Sequence, residues 1–158
     1  MPAKAKDNII LMELKDGIVK IKMFPKTAPT HVNRVKELVN EGFYDGLNFH
    51  RVIENFMAQT GDPLGTGMGG SGKNLNAEFS KKKHLRGTVS MARAQDPNSA
   101  DSQFFICFTD APWLNGKYTI WGQVIEGMEF VDAIKKGEGD NGSIVGEPDK
   151  IISMKIQK

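Results

Sequence analysis

The chain has 158 residues, 39% hydrophobic and 25% charged, with a formal charge of +2. That length suits one domain with a buried core, and a charge this small gives no reason to expect nucleic acid or a membrane surface as partner. No apolar run approaches the roughly 18 residues of a spanning helix. The N-terminal "MPAKAKDNII" lacks the apolar core and cleavage site of a signal peptide, and a single cysteine excludes an intrachain disulfide and fits a reducing compartment. A cytoplasmic protein is the expectation.

In chain order, "NIILMEL" and "IVKIKMF" read as strands flanking the turn signal Asp16-Gly17, and Val19, Ile21 and Met23 alternate with Lys20 and Lys22. After Pro25 and Pro29, "THVNRVKELVNEG" predicts a helix. Val32, Val35, Leu38 and Val39 recur at helical spacing, Thr30 is the N-cap candidate and Gly42 the stop. Short strands follow at "FHRVI", "FMAQT", "GTVSMAR", "QFFICF" and "YTIWGQVI". "MEFVDAIKKG" predicts a second helix through Met128, Val131 and Ile134. "IISMKI" predicts a last strand with Ile152, Met154 and Ile156 on one face. Eight short strands, two helices and glycine-rich turns point to a sandwich or barrel, because a parallel sheet would need a helix between most strands. No repeat or linker-like shift divides the chain, so residues 1–158 are expected to form one domain.

The stretch "GDPLGTGMGGSGKN" mimics phosphate-binding motifs: Gly65, Gly67 and Gly70 satisfy G-x-G-x-x-G, and Gly67 to Lys73 resembles a Walker loop. The context fails, since no amphipathic helix follows to aim the amides and Asn74 stands where a hydroxyl must meet magnesium. A mobile surface loop is the expectation. His31, His50 and His84 have no metal-ligand spacing, and Cys107 in "QFFICF" reads as a small buried hydrophobe. A Ser102, His50 and Asp62 set lacks a nucleophile elbow. "KKKH", Lys81 to His84, reads as a solvated turn. Strand alternation sets Phe49, Arg51 and Ile53 on one face, and Gln103, Phe105 and Cys107 on another.

The segments "FHRVIENFMAQTGD", "SMARA", "SQFFICF", "WLNGKY" and "GQVIEGMEFVDAI" resemble the signature segments of cyclophilins, the peptidyl-prolyl cis-trans isomerases. They occur in the family's order and nearly its spacing, across essentially the whole chain. The resemblance implies a mainly β fold, a closed eight-stranded antiparallel β-barrel capped by two α-helices. It makes Arg51 the catalytic arginine, with Gln59 and Phe105 beside it. Phe56, Met57, Phe105 and Leu114 become the walls of a proline pocket, and Gln59 and Gln103 the amides that hold the substrate backbone. Ala92 matches a contact to the residue before the proline, and Trp113 an aromatic that also contacts cyclosporin. Arg93 and Tyr118 stand where many members carry asparagine and histidine, which bears on substrate preference and cyclosporin affinity.

The implied activity is rotation about Xaa-Pro bonds in peptides and unfolded chains, assisting folding, in a monomer. No cofactor and no metal are expected, and cyclosporin is the expected inhibitor. The alternatives are a proline-peptide binding module that has kept the barrel and lost catalysis, and a nucleotide-binding protein using Gly65 to Lys73. Retention of Arg51, Phe56 and Gln103 favours the enzyme.

Overall fold

β1 (Ile9–Leu14) and β2 (Gly17–Met23) form the expected hairpin, but with Leu14 paired to Gly17 the turn is Lys15-Asp16, one position before the Asp16-Gly17 signal. The computed structural model describes residues 8–157; residues 1–7, which carry most of the signal-peptide reading, lie outside it. Val19, Ile21 and Met23 face the interior. α1 (Pro29–Asn40) buries Val32, Val35, Leu38 and Val39 as its periodicity requires, together with His31.

The start of α1 corrects the sequence reading. Thr30 is not the cap: the helix begins at Pro29, and Ala28 in the cap position makes no side-chain hydrogen bond. Instead the N–H groups of Thr30 and His31 donate to Glu78 Oε2 and Oε1 at 3.1 and 2.8 Å. His31 Nδ1 also lies 2.6 Å from Glu78 Oε1. A carboxylate at this end satisfies orphan donors and opposes the positive pole of the helix. It comes from far along the chain, so local pattern cannot reveal it.

β3 (Arg51–Ile53), β4 (Met57–Thr60), β5 (Thr88–Met91), β6 (Phe104–Cys107), β7 (Ile120–Glu126) and β8 (Ser153–Ile156) complete an antiparallel sheet ordered β3-β4-β6-β5-β7-β2-β1-β8. α2 (Met128–Asp132) is shorter than its apolar run; it turns Val131 inward, and Ile134, just past its end, is buried as well. Ile152 departs from expectation: it is exposed, while Ile151 is buried. β8 starts only at Ser153, and the Ile151 backbone is bonded to Gly46 and Leu47, so alternation does not extend back to it.

The sheet curls into a half-barrel around one apolar interior, where Phe104 packs edge-to-face against both Tyr44 and Trp121, with centroids 5.4 Å apart in each case. The expected strand-to-strand closure is corrected, since among the described residues no ladder joins the end strands β3 and β8. The outer edge of β3 is already occupied. Val52 N–H donates to Gly142 O at 2.9 Å, and Gly137 N–H donates to Val52 O at 2.8 Å. Gly142 allows this approach, for its φ is +71° and a Cβ there would meet Val52 O at 2.7 Å. Short backbone bonds between residues 46–49 and 149–151 span the seam.

β6 is buried on both faces. Phe104 and Ile106 belong to the interior, while Phe105 and Cys107 belong to a second cluster outside the sheet with Met57, Ala111 and Leu114. Ile53, Phe56, Ala92 and Tyr118 pack around that second cluster. Phe49 corrects the alternation reading: it sits in the interior, because residues 49 and 50 precede the strand, whereas Ile53 packs outside.

Candidate active site

The outer cluster lines a cavity of about 100 Å³ walled by Arg51, Phe56, Met57, Gln59, Ala92, Arg93, Phe105, Leu114 and Tyr118. Strand pairing brings Arg51, Met57, Gln59 and Phe105 together. Arg51 on β3 faces Gln59 on β4, and Gln59 faces Phe105 on β6. The segment after β6 folds back over the sheet through a 3-10 turn, Pro112–Leu114, which buries Leu114 and leaves Trp113 at the rim, 57% exposed. Trp113 packs against Phe56 with centroids 5.5 Å apart.

A directed chain of hydrogen bonds runs along the polar wall. Arg51 Nη1 donates to Gln59 Oε1 at 3.1 Å, and Arg51 Nε donates to Asn141 O at 3.0 Å. Gln59 Nε2 donates to Gln103 Oε1 at 2.9 Å. Gln103 Nε2 donates to Gly67 O and Gly69 O at 3.0 and 2.9 Å. Among the described residues no carboxylate lies within ion-pair distance of Arg51, and Nη2 has no protein acceptor. The guanidinium is therefore oriented by neutral oxygens, its charge uncompensated by a carboxylate, with Nη2 left unengaged where Arg51 lines the apolar slot.

Arg93 is a brace. Its Nε and Nη2 donate to Lys117 O at 3.1 and 2.8 Å, and its Nη1 donates to Ala94 O and Gln95 O. Its Cζ lies 4.6 Å from the centre of the Tyr118 ring. Ala92 is fixed by its own N–H, which donates to Gln103 O at 2.9 Å.

All eleven sequence-derived positions gather at this site: ten line the slot or the polar wall, and Trp113 stands at the rim. Four contributors were not foreseen. His84 is buried rather than part of a solvated turn; its ring stacks on Phe105 with centroids 6.0 Å apart, and Nε2 lies 2.9 Å from Ser90 Oγ. Burial lowers its pKa, against an opposing hydrogen bond to Asn115. The Asn141 carbonyl reaches Arg51 across 90 positions and has no sequence signature. Asp62 and Asp101 grip the glycine-rich loop: the first accepts from the N–H groups of Leu64, Thr66 and Gly67, the second from those of Ser71 and Gly72. The loop's amides do converge on anions, as the motif suggests, but those anions are two of the protein's own carboxylates. Burial alone would raise the pKa of Asp62, but N–H donors from Leu64, Gly69, Gly67 and Thr66 hold it below the usual range.

Ser102, His50 and Asp62 form no triad. Ser102 Oγ donates to Gly61 O at 2.7 Å, neither ring nitrogen of His50 has a hydrogen-bond partner among the described residues, and Asp62 serves the loop. Cys107 is buried as expected, and burial, aided by Asp110, pushes its thiol up to about 12.

The outer face of the eight-stranded half-barrel thus carries an oriented arginine, two linked amides and an apolar slot. Residues 9–156 match the family model described as cyclophilin type peptidyl-prolyl cis-trans isomerase/CLD. The chain is 52% identical over 165 aligned positions to a probable peptidyl-prolyl cis-trans isomerase of Brucella suis, covering 96% of this chain and 83% of that protein. It is 43% identical over 138 positions to a peptidyl-prolyl cis-trans isomerase of Helicobacter pylori, covering 85% and 84% of the two. A crystal structure of a Cryptosporidium parvum cyclophilin type isomerase, determined in the presence of the dipeptide Ala-Pro, superposes with a TM-score of 0.85 at 30% identity, covering 95% of this chain and 99% of that one. The chain belongs to the cyclophilin-type peptidyl-prolyl cis-trans isomerase family, and it is an enzyme of that class.

Proposed function

We propose that the enzyme binds the proline ring of peptides and unfolded chains in the slot of Phe56, Met57, Phe105 and Leu114, and that Arg51 Nη2 stabilises the twisted Xaa-Pro amide. The observation that carries this reading is the oriented guanidinium with a spare donor at the edge of the slot. Amide resonance sets a barrier of about 18–20 kcal/mol, and free Xaa-Pro bonds exchange over tens to hundreds of seconds. Turnover near ~10³ per second requires lowering that barrier by roughly 7 kcal/mol. No bond breaks, so the chemistry calls for no nucleophile, base or metal.

In the transition state the proline nitrogen leaves conjugation and becomes a lone-pair acceptor. A donor aimed there binds the twisted form better than the planar one, which is differential binding. Arginine keeps its proton at any working pH, and its fork lets two donors anchor the group while a third faces substrate. Apolar walls strengthen that hydrogen bond by excluding water, and the glutamines restrict rotation to one bond. Rotation about the amide needs the acyl side held, a task assigned to Gln59, Gln103 and Ala92. Arg93 and Tyr118 then shape the rim.

The proposal extends to cyclosporin as an inhibitor seated against Trp113, and to a single-domain monomer working in the cytoplasm. The Ala-Pro dipeptide used with the Cryptosporidium parvum protein supports a proline peptide as ligand. Exchange NMR on an Ala-Pro-containing peptide tests the reading: catalytic amounts of enzyme should produce cis–trans exchange cross-peaks, with perturbed methyl signals at Met57 and Leu114. Exchange without any perturbation at those side chains would remove the slot from the mechanism.

A further inference from the structure

The glycine-rich loop is joined to the guanidinium by a one-way path of hydrogen bonds. Asp62, 1% exposed, accepts through Oδ1 from Leu64 N–H at 2.8 Å and through Oδ2 from the N–H groups of Thr66 and Gly67 at 2.9 and 2.5 Å. The loop so pinned offers two carbonyls, Gly67 O and Gly69 O, to the two N–H bonds of Gln103 Nε2. A carboxamide turned over by 180° would set its oxygen against both carbonyl oxygens, so the loop permits one orientation of Gln103. That orientation presents Oε1 to Gln59 Nε2, which leaves Gln59 Oε1 for Arg51 Nη1. With either amide reversed, Gln59 would face the guanidinium with N–H bonds, donor against donor.

We propose that Asp62 is a positioning residue of the isomerase: by fixing residues 64–69 it sets the orientation of Gln103 and Gln59 and thereby the aim of Arg51. The inference rests on Arg51 being the transition-state donor. It gives the loop a task in catalysis that its phosphate-like motif does not suggest. A purely structural Asp62 would matter for stability alone, or would affect activity whether or not the amide path is intact.

The test is a double-mutant cycle on the full chain. Asp62→Asn replaces one accepting oxygen by an N–H donor. Gly69→Ala attacks the same contact from the other side: Gly69 does not adopt a positive φ, and an added Cβ would collide with Asp62 Oδ1. Either variant should lower kcat about tenfold while KM moves less than about twofold, and should change kcat no more than about twofold when introduced into Gln59→Leu, where the path is already cut. Equal losses in both backgrounds, a loss confined to KM, or full kcat in a folded Asp62→Asn protein would overturn the proposal. If Asp62→Asn does not fold, Gly69→Ala decides by the same criteria. Full activity in Arg51→Ala would instead overturn the underlying reading of the donor, which keeps the two failures apart.

Discussion

Glu78 is the strongest test of how the fold is assembled, because it caps a helix it does not belong to. Glu78→Ala leaves the N–H groups of Thr30 and His31 and the buried ring of His31 without their acceptor. Loss of a helix cap costs about 1 kcal/mol, and stranding a buried polar ring about 1–3 kcal/mol. The expected destabilisation is therefore roughly 2–4 kcal/mol, and at about 2–4 °C per kcal/mol for a chain of this size Tm should fall by roughly 5–15 °C. Thermal unfolding by circular dichroism at pH 7 measures it.

The pH dependence has a definite sign. Burial alone would raise the pKa of Glu78, but the hydrogen bonds from His31 and Thr30 hold it below its ordinary value. A carboxylate depressed in the folded state stabilises fully above its unfolded pKa and loses that contribution as pH falls through the lowered one. The gap between wild type and variant should thus be full at pH 7 and shrink below about pH 4. Activity at low temperature should be unchanged, since Glu78 does not line the slot. A Tm within about 2 °C of wild type at pH 7 would refute the reasoning.

Cyclosporin should inhibit competitively, and Trp113→Phe, which keeps a ring but removes the N–H donor, should weaken the inhibition; equal inhibition of both proteins would remove Trp113 from that contact. The Cys107 thiol, buried with its pKa pushed up to about 12, should resist alkylation at pH 8 and react once the chain unfolds; rapid labelling of folded protein would contradict the packing of the outer cluster. Excess EDTA without added nucleotide should leave the rate undiminished, and a metal requirement would mean a different reaction.

Much of this architecture is legible in the sequence because two periods carry it. Alternation in "IVKIKMF" and helical spacing in "THVNRVKELVNEG" follow burial, so the hairpin and α1 appear where expected. Alternation fails where the chain leaves the strand, at Phe49 and Ile152. What stayed hidden is long-range: the Glu78 cap, the Asn141 carbonyl on Arg51, and the edge of β3 taken by Gly142 instead of β8. None of these leaves a local signature, because a backbone carbonyl or a lone glutamate looks the same wherever it points. The site residues were reached through family resemblance; strand alternation alone set Arg51 and Phe105 on faces and gave neither a role.

The central claim is that Arg51 stabilises the twisted amide, and kcat/KM of Arg51→Ala and Arg51→Lys on one proline peptide tests it most directly. Lysine keeps the charge but cannot hold Asn141 O and Gln59 Oε1 while turning a further donor to substrate. Loss of one transition-state donor should reduce kcat/KM by about two to three powers of ten in Arg51→Ala. Arg51→Lys should recover little of that loss, with both proteins folded. Near-wild-type isomerisation by a folded Arg51→Ala protein would contradict the mechanism.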